Sequence, residues 1–246
     1  MSEIELIEAN NHTVEAVLFR RALIHWGREN FRPYPWRFTN NPYHILIAEV
    51  MLHRTQAPQV IPVYERFVQK YPDVASLANV EREELHKVLY SLGLRWRIDL
   101  IMDMVLKLIE KFGGQVPQGK NDLLSLPGVS EYVASAVRCF AWNLPEPTID
   151  TNTVRVTGRI FNLAIKDSSR RNPLFRKLIK ALVDFDEPRT YNYALLDLAA
   201  QVCTKAREPA CEVCPVQKFC VYGTNIRYKR EARNILEGEI RFLETE

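Results

Sequence analysis

The sequence predicts an all-α protein, and three observations lead to this prediction. Nearly every apolar stretch of the 246 residues repeats with the spacing of an α-helix rather than with the alternation of a strand. Glycine and proline stand between these stretches, where helices end and turns begin. Hydrophobic residues make up 47% of the chain, which is enough to bury a core and excludes a disordered protein.

The helices can be assigned in chain order. The second stretch is apolar on nearly every face, which predicts a buried helix. The others have one apolar stripe and end at proline or glycine. The stretches are TVEAVLFRRALIHW, NPYHILIAEVMLHRT, QVIPVYERFVQKY, EREELHKVLYSLG, RIDLIMDMVLKLIEKFGG, GKNDLLSLPGV, SEYVASAVRCFAW, DTNTVRVTGRIFNL, NPLFRKLIKALVDF and RTYNYALLDLAAQVC.

Charge and terminal composition limit the class of protein. The formal net charge is +3, a mild basic excess that gives weak support for an anionic partner. The N-terminus opens with acidic residues and has no apolar signal core, and no stretch has the apolar length of a membrane span. We therefore expect a soluble, cytoplasmic protein.

Two short segments concentrate the positive charge. One is NIRYKREAR, near the C-terminus. The other, KDSSRRNPLFRKLIK, contains one acid and six cations, which are Lys166, Arg170, Arg171, Arg176, Lys177 and Lys180. Taken alone, each run is interpreted as the solvated face of a helix.

Four of the five cysteines fall in one short segment, at Cys203, Cys211, Cys214 and Cys220. In a reducing compartment such a cluster indicates a metal centre rather than disulfides. The gaps match neither the two close pairs of structural zinc nor the ferredoxin spacings, so spacing alone leaves zinc and iron–sulfur equally open. The fifth, Cys139, lies on an apolar stretch and is expected in the core.

The stretch LPGVSEYVASAVRCFAWNLPEPTIDTNTVRV combines a tight turn, a helix start and an isolated acid. A Pro-Gly turn between two helices can leave backbone N–H groups directed outward, where they bind an anion such as a phosphate. Asp150 stands where a helix N-cap is expected. The residues alone leave two questions open. The turn either binds an anion or only connects two helices, and Asp150 either has a functional role or only caps a helix.

The order of these features resembles the helix-hairpin-helix DNA glycosylases of the endonuclease III and adenine-mismatch glycosylase superfamily. The resemblance extends from YPWR through AEVMLHRTQ, LPGV and the ID dipeptide to the cysteine loop. None of these motifs is decisive by itself, whereas five of them in the same order are highly specific.

The resemblance implies two helical lobes with a DNA groove between them. A six-helix barrel with the hairpin would occupy residues 34–144, and residues 1–33 plus 145–246 would form the second lobe. In this family the four cysteines hold a [4Fe–4S] cluster, and the target base is flipped out of the duplex into a pocket. The amides of Gly128 and Ser130 would hold a backbone phosphate. Ser130 replaces the usual glycine, which restricts the backbone there.

By the same resemblance, Asp150 is the catalytic carboxylate. Cleavage of the bond between sugar and base leaves positive charge on the sugar, which a carboxylate stabilises while it orients or deprotonates water. A helix N-terminus keeps the acid ionised, so the capping and catalytic roles are compatible. Glu49, an acid on a buried helix, is expected to hydrogen-bond the flipped base because burial of an unpaired acid is costly.

Tyr132 stands where endonuclease III has the lysine that forms a Schiff base and then cleaves the strand. A phenol cannot form that imine, so the resemblance implies hydrolysis to an abasic site without lyase activity. Tyrosine at this position resembles the thymine–guanine mismatch glycosylases of thermophilic archaea, whereas the adenine-mismatch enzymes usually have serine.

The expected partner is double-stranded DNA containing a mismatch, and the protein is expected to bind it as a monomer. Further residues are expected to contact this DNA. The loop after the buried helix resembles the one that inserts into the base stack beside the orphaned base, and contributes His53, Arg54 and Gln56. Contacts with phosphates that do not read the sequence are expected from Arg95, Arg97, Lys205 and Arg207.

The leading hypothesis is thus a monofunctional glycosylase that removes thymine, and uracil, opposite guanine. One alternative is an adenine glycosylase acting on adenine opposite guanine or oxidised guanine. Tyr132 argues against it, and the sequence after Cys220 is too short for the further C-terminal domain of those enzymes. The other is a non-catalytic DNA lesion-binding module, against which Asp150 and Glu49 argue.

Overall fold

The computed structural model describes residues 14–92, 95–205 and 208–225, except for the side chains at 95–97 and 167. These ranges contain no strand, and the all-α prediction is confirmed. Their α-helices are α1 (Val14–Glu29), α2 (Pro42–Leu52), α3 (Ala57–Lys70), α4 (Val74–Ala78), α5 (Arg82–Leu89), α6 (Arg95–Phe112), α7 (Lys120–Leu124), α8 (Glu131–Trp142), α9 (Thr151–Ile160), α10 (Pro173–Leu182) and α11 (Pro188–Gln201).

Short 3₁₀ turns link several of these helices, at Pro35–Arg37, Tyr90–Leu92, Asp167–Arg171, Cys211–Val213 and Gln217–Phe219. The sequence pattern did not predict α4, which is too short for a periodic stripe. A capping box forms it, in which Asp73 accepts from the Ser76 amide at 2.7 Å and Ser76 Oγ accepts from the Asp73 amide. None of the described helices is long and apolar enough to span a membrane.

The chain divides into two compact units. The described residues of Met1–Phe31 and Ile149–Glu246 form the first, here named the cysteine unit. Residues Arg32–Thr148 form the second, here named the hairpin unit.

The hairpin unit is built around α2, which is buried along most of its length. Asn41 caps this helix by accepting from the amides of Tyr43 and His44, and Pro42 occupies its first position. Helix α2 packs against α3 and α8. Its apolar circumference therefore follows from contact with neighbouring helices on more than one side, as the sequence predicted.

The cysteine unit has its core between α1 and α11. Gly27 allows these helices to approach closely, because a Cβ atom at this position would lie 2.3 Å from the Cβ atom of Ala194. Buried Arg20 ties α1 to the end of α10 by donating to the carbonyl oxygens of Ala181 and Leu182 at 2.9 and 3.2 Å. Helix α9 packs on both α10 and α11 within the same unit.

Candidate glycosylase active site

Asp150 is the N-cap of α9 and has extended backbone dihedral angles. Its Oδ1 atom accepts from the amides of Asn152 and Thr153 at 2.9 and 2.7 Å, and Thr153 Oγ1 accepts from the Asp150 amide at 2.9 Å. The carboxyl group of Asp150 thus lies against two backbone N–H groups at the positive end of the helix dipole. The predicted cap is therefore present, and it holds the acid in one orientation.

A chain of hydrogen bonds joins Asp150 to the cysteine loop. Asn152 Nδ2 donates to Asp150 Oδ2 at 2.7 Å, and Asn152 Oδ1 accepts from the guanidinium of Arg155 at 2.9 Å. Arg155 is buried and also donates to the carbonyl oxygens of Ala199 and Cys203 at 2.9 and 3.0 Å. Burial lowers the pKa of Arg155. The carboxylate orientation thus depends on two side chains of α9 that the motif analysis did not single out.

The segment DTNTVR contains a sequence signal for these hydrogen bonds. Asn152 and Arg155 are three positions apart, so they lie on the same face of the helix that Asp150 caps. Polar residues on a helix that also buries Val154 and Val156 need partners inside the protein. That requirement could have marked both residues as contributors to the site.

The four clustered cysteines line one small pocket in the cysteine unit, together with Arg159 of α9. Arg159 donates to Cys203 Sγ at 3.2 Å and to the Thr204 carbonyl oxygen at 2.9 Å. The Gly223 amide donates to Cys220 Sγ at 3.4 Å. Among the described residues, no three His, Cys, Asp or Glu side chains are arranged to hold a single metal ion.

Burial raises the pKa of three of these thiols, at Cys211, Cys214 and Cys220, and that of Cys214 reaches about 12. Without a compensating cation these groups stay protonated, because a buried thiolate has lost its hydration. The donor chemistry suits a thiolate-bound metal centre, since four sulfur atoms line one pocket and a cation and an amide donate to two of them. The arrangement of the four sulfur atoms is not that of a single-ion site. Cys139 lies in α8 and is fully buried, as expected for a core cysteine.

The predicted hairpin lies between α7 and α8. Leu126 O accepts from the Val129 amide at 3.2 Å across Pro127 and Gly128, and Gly128 has φ +77°. This is a turn with proline at its second position and glycine at its third, where a left-handed residue is required. Gly128 and Ser130 are exposed residues, and their amides donate no hydrogen bond within the described part of the chain.

Ser130 is the N-cap of α8, and its Oγ atom accepts from the Val133 amide at 3.3 Å. Its φ of −87° and ψ of 170° are ordinary for any L-residue. The serine therefore imposes no strain on the hairpin, although the family pattern raised that concern. It adds a cap that glycine lacks.

Glu49 and Tyr132 both belong to the hairpin unit. Glu49 lies on α2 and is 5% exposed, as its apolar surroundings predicted. Tyr132 is half-buried. Because it is the second residue of α8, it lies within one turn of the hairpin amides. Their helices pack against each other.

The loop between α2 and α3 presents three polar side chains. His53, Arg54 and Gln56 are all exposed, and the Thr55 amide donates to the Leu52 carbonyl oxygen at 3.1 Å. Arg54 has φ +62°, a left-handed conformation that costs energy for a residue with a side chain. Backbone strain of this kind is concentrated at functional sites.

The remaining predicted DNA contacts are only partly described. Lys205 is exposed. Arg95 and Arg97 lie in the first turn of α6, with side chains outside the described atoms, and Arg207 lies outside the described residues. Asp150 and the four cysteines belong to the cysteine unit, whereas Glu49, Tyr132 and the hairpin belong to the hairpin unit.

Comparison with known families identifies the class. Residues 47–181 match the profile of the HhH-GPD superfamily base excision DNA repair proteins. The chain therefore belongs to the HhH-GPD superfamily of base excision DNA repair proteins, as the ordered motifs predicted.

Individual relatives narrow the comparison. The thymine-DNA glycosylase of Aeropyrum pernix is 36% identical over 84% of this chain and 94% of its own. The thymine/uracil-DNA glycosylase of Pyrobaculum aerophilum is 36% identical over 85% and 93%. The adenine DNA glycosylase of Rattus norvegicus is 34% identical over 84% of this chain but only 42% of its own.

Solved structures give the same picture. A thermostable thymine-DNA glycosylase superposes with a TM-score of 0.81 and 31% identity, over 86% of this chain and 97% of that one. A trapped endonuclease III–DNA covalent intermediate superposes with a TM-score of 0.71 and 26% identity, over 86% and 98%.

Proposed function

We propose that this protein is a monofunctional DNA glycosylase that hydrolyses the N-glycosidic bond of thymine, and of uracil, mispaired with guanine. The observation that carries the proposal is the Asp150 carboxylate, held at a helix N-terminus by two backbone amides and the Asn152 amide group. The relatives named for thymine and uracil, which match most of both chains, support the choice of base.

Asp150 acts on the sugar. As the bond between the anomeric carbon and the base nitrogen lengthens, the electron pair leaves with the pyrimidine and positive charge grows on the sugar. The ionised carboxylate stabilises this charge, and it accepts a proton from the water that attacks the same carbon. The hydrogen bonds to Asp150 hold it in place, so little reorganisation is needed during the reaction.

Glu49 acts on the flipped base. A thymine or uracil ring has an N–H group between its two carbonyl groups, and a carboxylate is an acceptor for that donor. Because Glu49 is 5% exposed, a hydrogen bond to it is formed away from competing water. Tyr132 offers an aromatic face to the sugar or base but no amine, so the product strand keeps its phosphodiester until alkali cleaves the abasic site.

DNA is held by the hairpin and by cations. The amides of the exposed residues Gly128 and Ser130 are suited to one phosphate, and the His53–Gln56 loop contacts the orphaned guanine. Phosphates are bound by side chains that carry no sequence information, namely Arg95, Arg97, Lys205 and Arg207. The protein would act as a monomer on chromosomal DNA.

The cysteine loop holds a [4Fe–4S] cluster in this proposal, with Cys203, Cys211, Cys214 and Cys220 as ligands. The cluster would stabilise the fold of this loop, in the lobe formed by residues 1–33 and 145–246, and residues 34–144 would form the six-helix barrel. Purified protein should be yellow-brown with about four irons per chain, and Cys214→Ser should lose both. Cys139→Ala is the matched control and should keep them, while colourless protein with one zinc would refute the assignment.

Incubation with duplexes containing T·G, U·G, A·G or A opposite oxidised guanine, followed by alkali, tests the base specificity. Strand breaks only with the T·G and U·G duplexes are expected. Cleavage confined to the adenine duplexes would instead favour the adenine glycosylase alternative, which the rat relative supports. Mismatch binding without base release would favour a non-catalytic lesion-binding module.

A further inference from the structure

A basic face extends over α10 and the 3₁₀ turn before it, and the site described above does not use it. We define the basic face as Lys166, Arg170, Arg171, Arg176, Lys177 and Lys180. The opposite side of α10 buries Phe175, Leu178 and Ile179. Helix α10 therefore has one apolar side in the core and one strongly cationic side.

Four of the six cations of this face are not neutralised by an ion pair. Among the described residues, Lys166, Arg170, Arg171 and Lys180 form no ion pair, and all four are exposed. Of the acids that follow α10, Glu187 pairs with Arg28 of α1. Asp184 accepts from two backbone amides in its own turn.

The basic face lies next to the helix that Asp150 caps. Within the cysteine unit, Phe175 and Ile179 of α10 pack against Val154 of α9 and against Ile149, the residue before Asp150. Packed helices have axes about 8–10 Å apart, which corresponds to about three steps along one strand of DNA. The 3₁₀ turn that carries Arg170 and Arg171 also packs against α9 itself. Phosphates a few nucleotides away from a sugar at Asp150 can therefore reach these cations.

We propose that the basic face binds the phosphate backbone of the DNA that flanks the flipped nucleotide. This inference rests on the proposed glycosylase function and adds an electrostatic contact to that of the hairpin. Its contribution does not depend on sequence, because lysine and arginine contact phosphates here without reaching base edges. Helix packing fixes its place relative to Asp150 and thereby orients the duplex on the cysteine unit.

Charge neutralisation tests the proposal. The test variant combines Arg170→Gln, Arg171→Gln and Lys180→Gln, all at exposed positions. Affinity for a duplex of about 25 base pairs with an abasic-site analogue is measured against salt concentration. Because each phosphate contact contributes about 0.9 to the slope of log affinity against log salt, the slope should fall by about two to three. The dissociation constant should rise at least about tenfold at roughly 0.1 M salt.

A matched control removes the same charge elsewhere. Arg21→Gln, Arg66→Gln and Lys87→Gln are also exposed, and both triple variants reduce the formal net charge from +3 to 0. The control should keep the wild-type slope. Equal slopes of log affinity against log salt in the two variants would overturn the proposal. An acidic protein would then be the alternative partner of the basic face. Failure of the wild-type protein to release any base would refute the glycosylase function, and the slope comparison reports on the basic face separately.

Discussion

Replacement of Asp150 by asparagine separates the chemistry of this residue from its structural role. Asparagine keeps an oxygen atom that can accept from the amides of Asn152 and Thr153, so α9 stays capped. In the wild-type protein, Asn152 Nδ2 donates to the second carboxylate oxygen at 2.7 Å. In the variant an NH₂ group replaces this oxygen and faces Asn152 Nδ2. Two donors then oppose each other, and Asn152 cannot simply rotate because its oxygen accepts from Arg155.

The magnitudes follow from these contacts. Loss of one partly buried hydrogen bond costs about 1–2 kcal/mol of unfolding free energy, which lowers the melting temperature by about 2–8 °C in a chain of this size. Loss of the charge that stabilises the sugar costs the reaction about 2.7 kcal/mol or more, or about a hundredfold in rate. The expected loss of reaction rate is therefore far larger than the loss of folded protein that this destabilisation would cause.

The assay is base release from a T·G duplex in a single turnover at saturating enzyme, with binding measured in parallel. Asp150→Asn should bind the duplex and release thymine at least about a hundredfold more slowly. Asp73→Asn is the matched control, since Asp73 also caps a helix through a capping box, and its rate should be unchanged. A near-normal rate for Asp150→Asn would refute the catalytic assignment.

Three further outcomes are expected. Borohydride should trap no adduct of wild-type protein with DNA, and Tyr132→Lys should gain some trapping and strand cleavage; efficient trapping by the wild type would contradict the monofunctional mechanism. Gly128→Ala should lose about 1–2 kcal/mol of stability and weaken DNA binding, because φ is +77° and the new Cβ would lie 3.3 Å from a side-chain atom of Leu100 on α6. Gly113→Ala, at φ +59° in open space, should lose stability but keep DNA binding in the same titration. Burial acts to raise the pKa of Glu146, but hydrogen bonds from Arg138 and Lys120 outweigh it and lower the pKa below the ordinary 4.5. Glu146→Gln should therefore be less stable than wild type at neutral pH, and the difference in melting temperature should disappear as the pH falls well below 4.5; a constant difference would contradict this.

Periodicity and motif order determined much of this protein before any coordinates. The apolar spacing located nearly all the helices because burial of one side of a helix leaves a repeat that survives in the sequence. It missed α4, since five residues are too few to show a period and a local capping box forms that helix. The ordered motifs identified the superfamily, and burial of Glu49 and Cys139 followed from their apolar neighbours.

Only the tertiary structure decided how distant segments meet. The link from Asp150 through Asn152 and Arg155 ends at a carbonyl oxygen of Cys203, 48 positions along the chain from Arg155, and such a distance leaves no periodic signal. From the sequence alone, the charged run around α10 was interpreted as the solvated face of a helix. The structure shows that α10 packs against α9, the helix that Asp150 caps. Spacing identifies which side chains share one helix, but folding alone determines which helices become neighbours, because those contacts depend on the whole core.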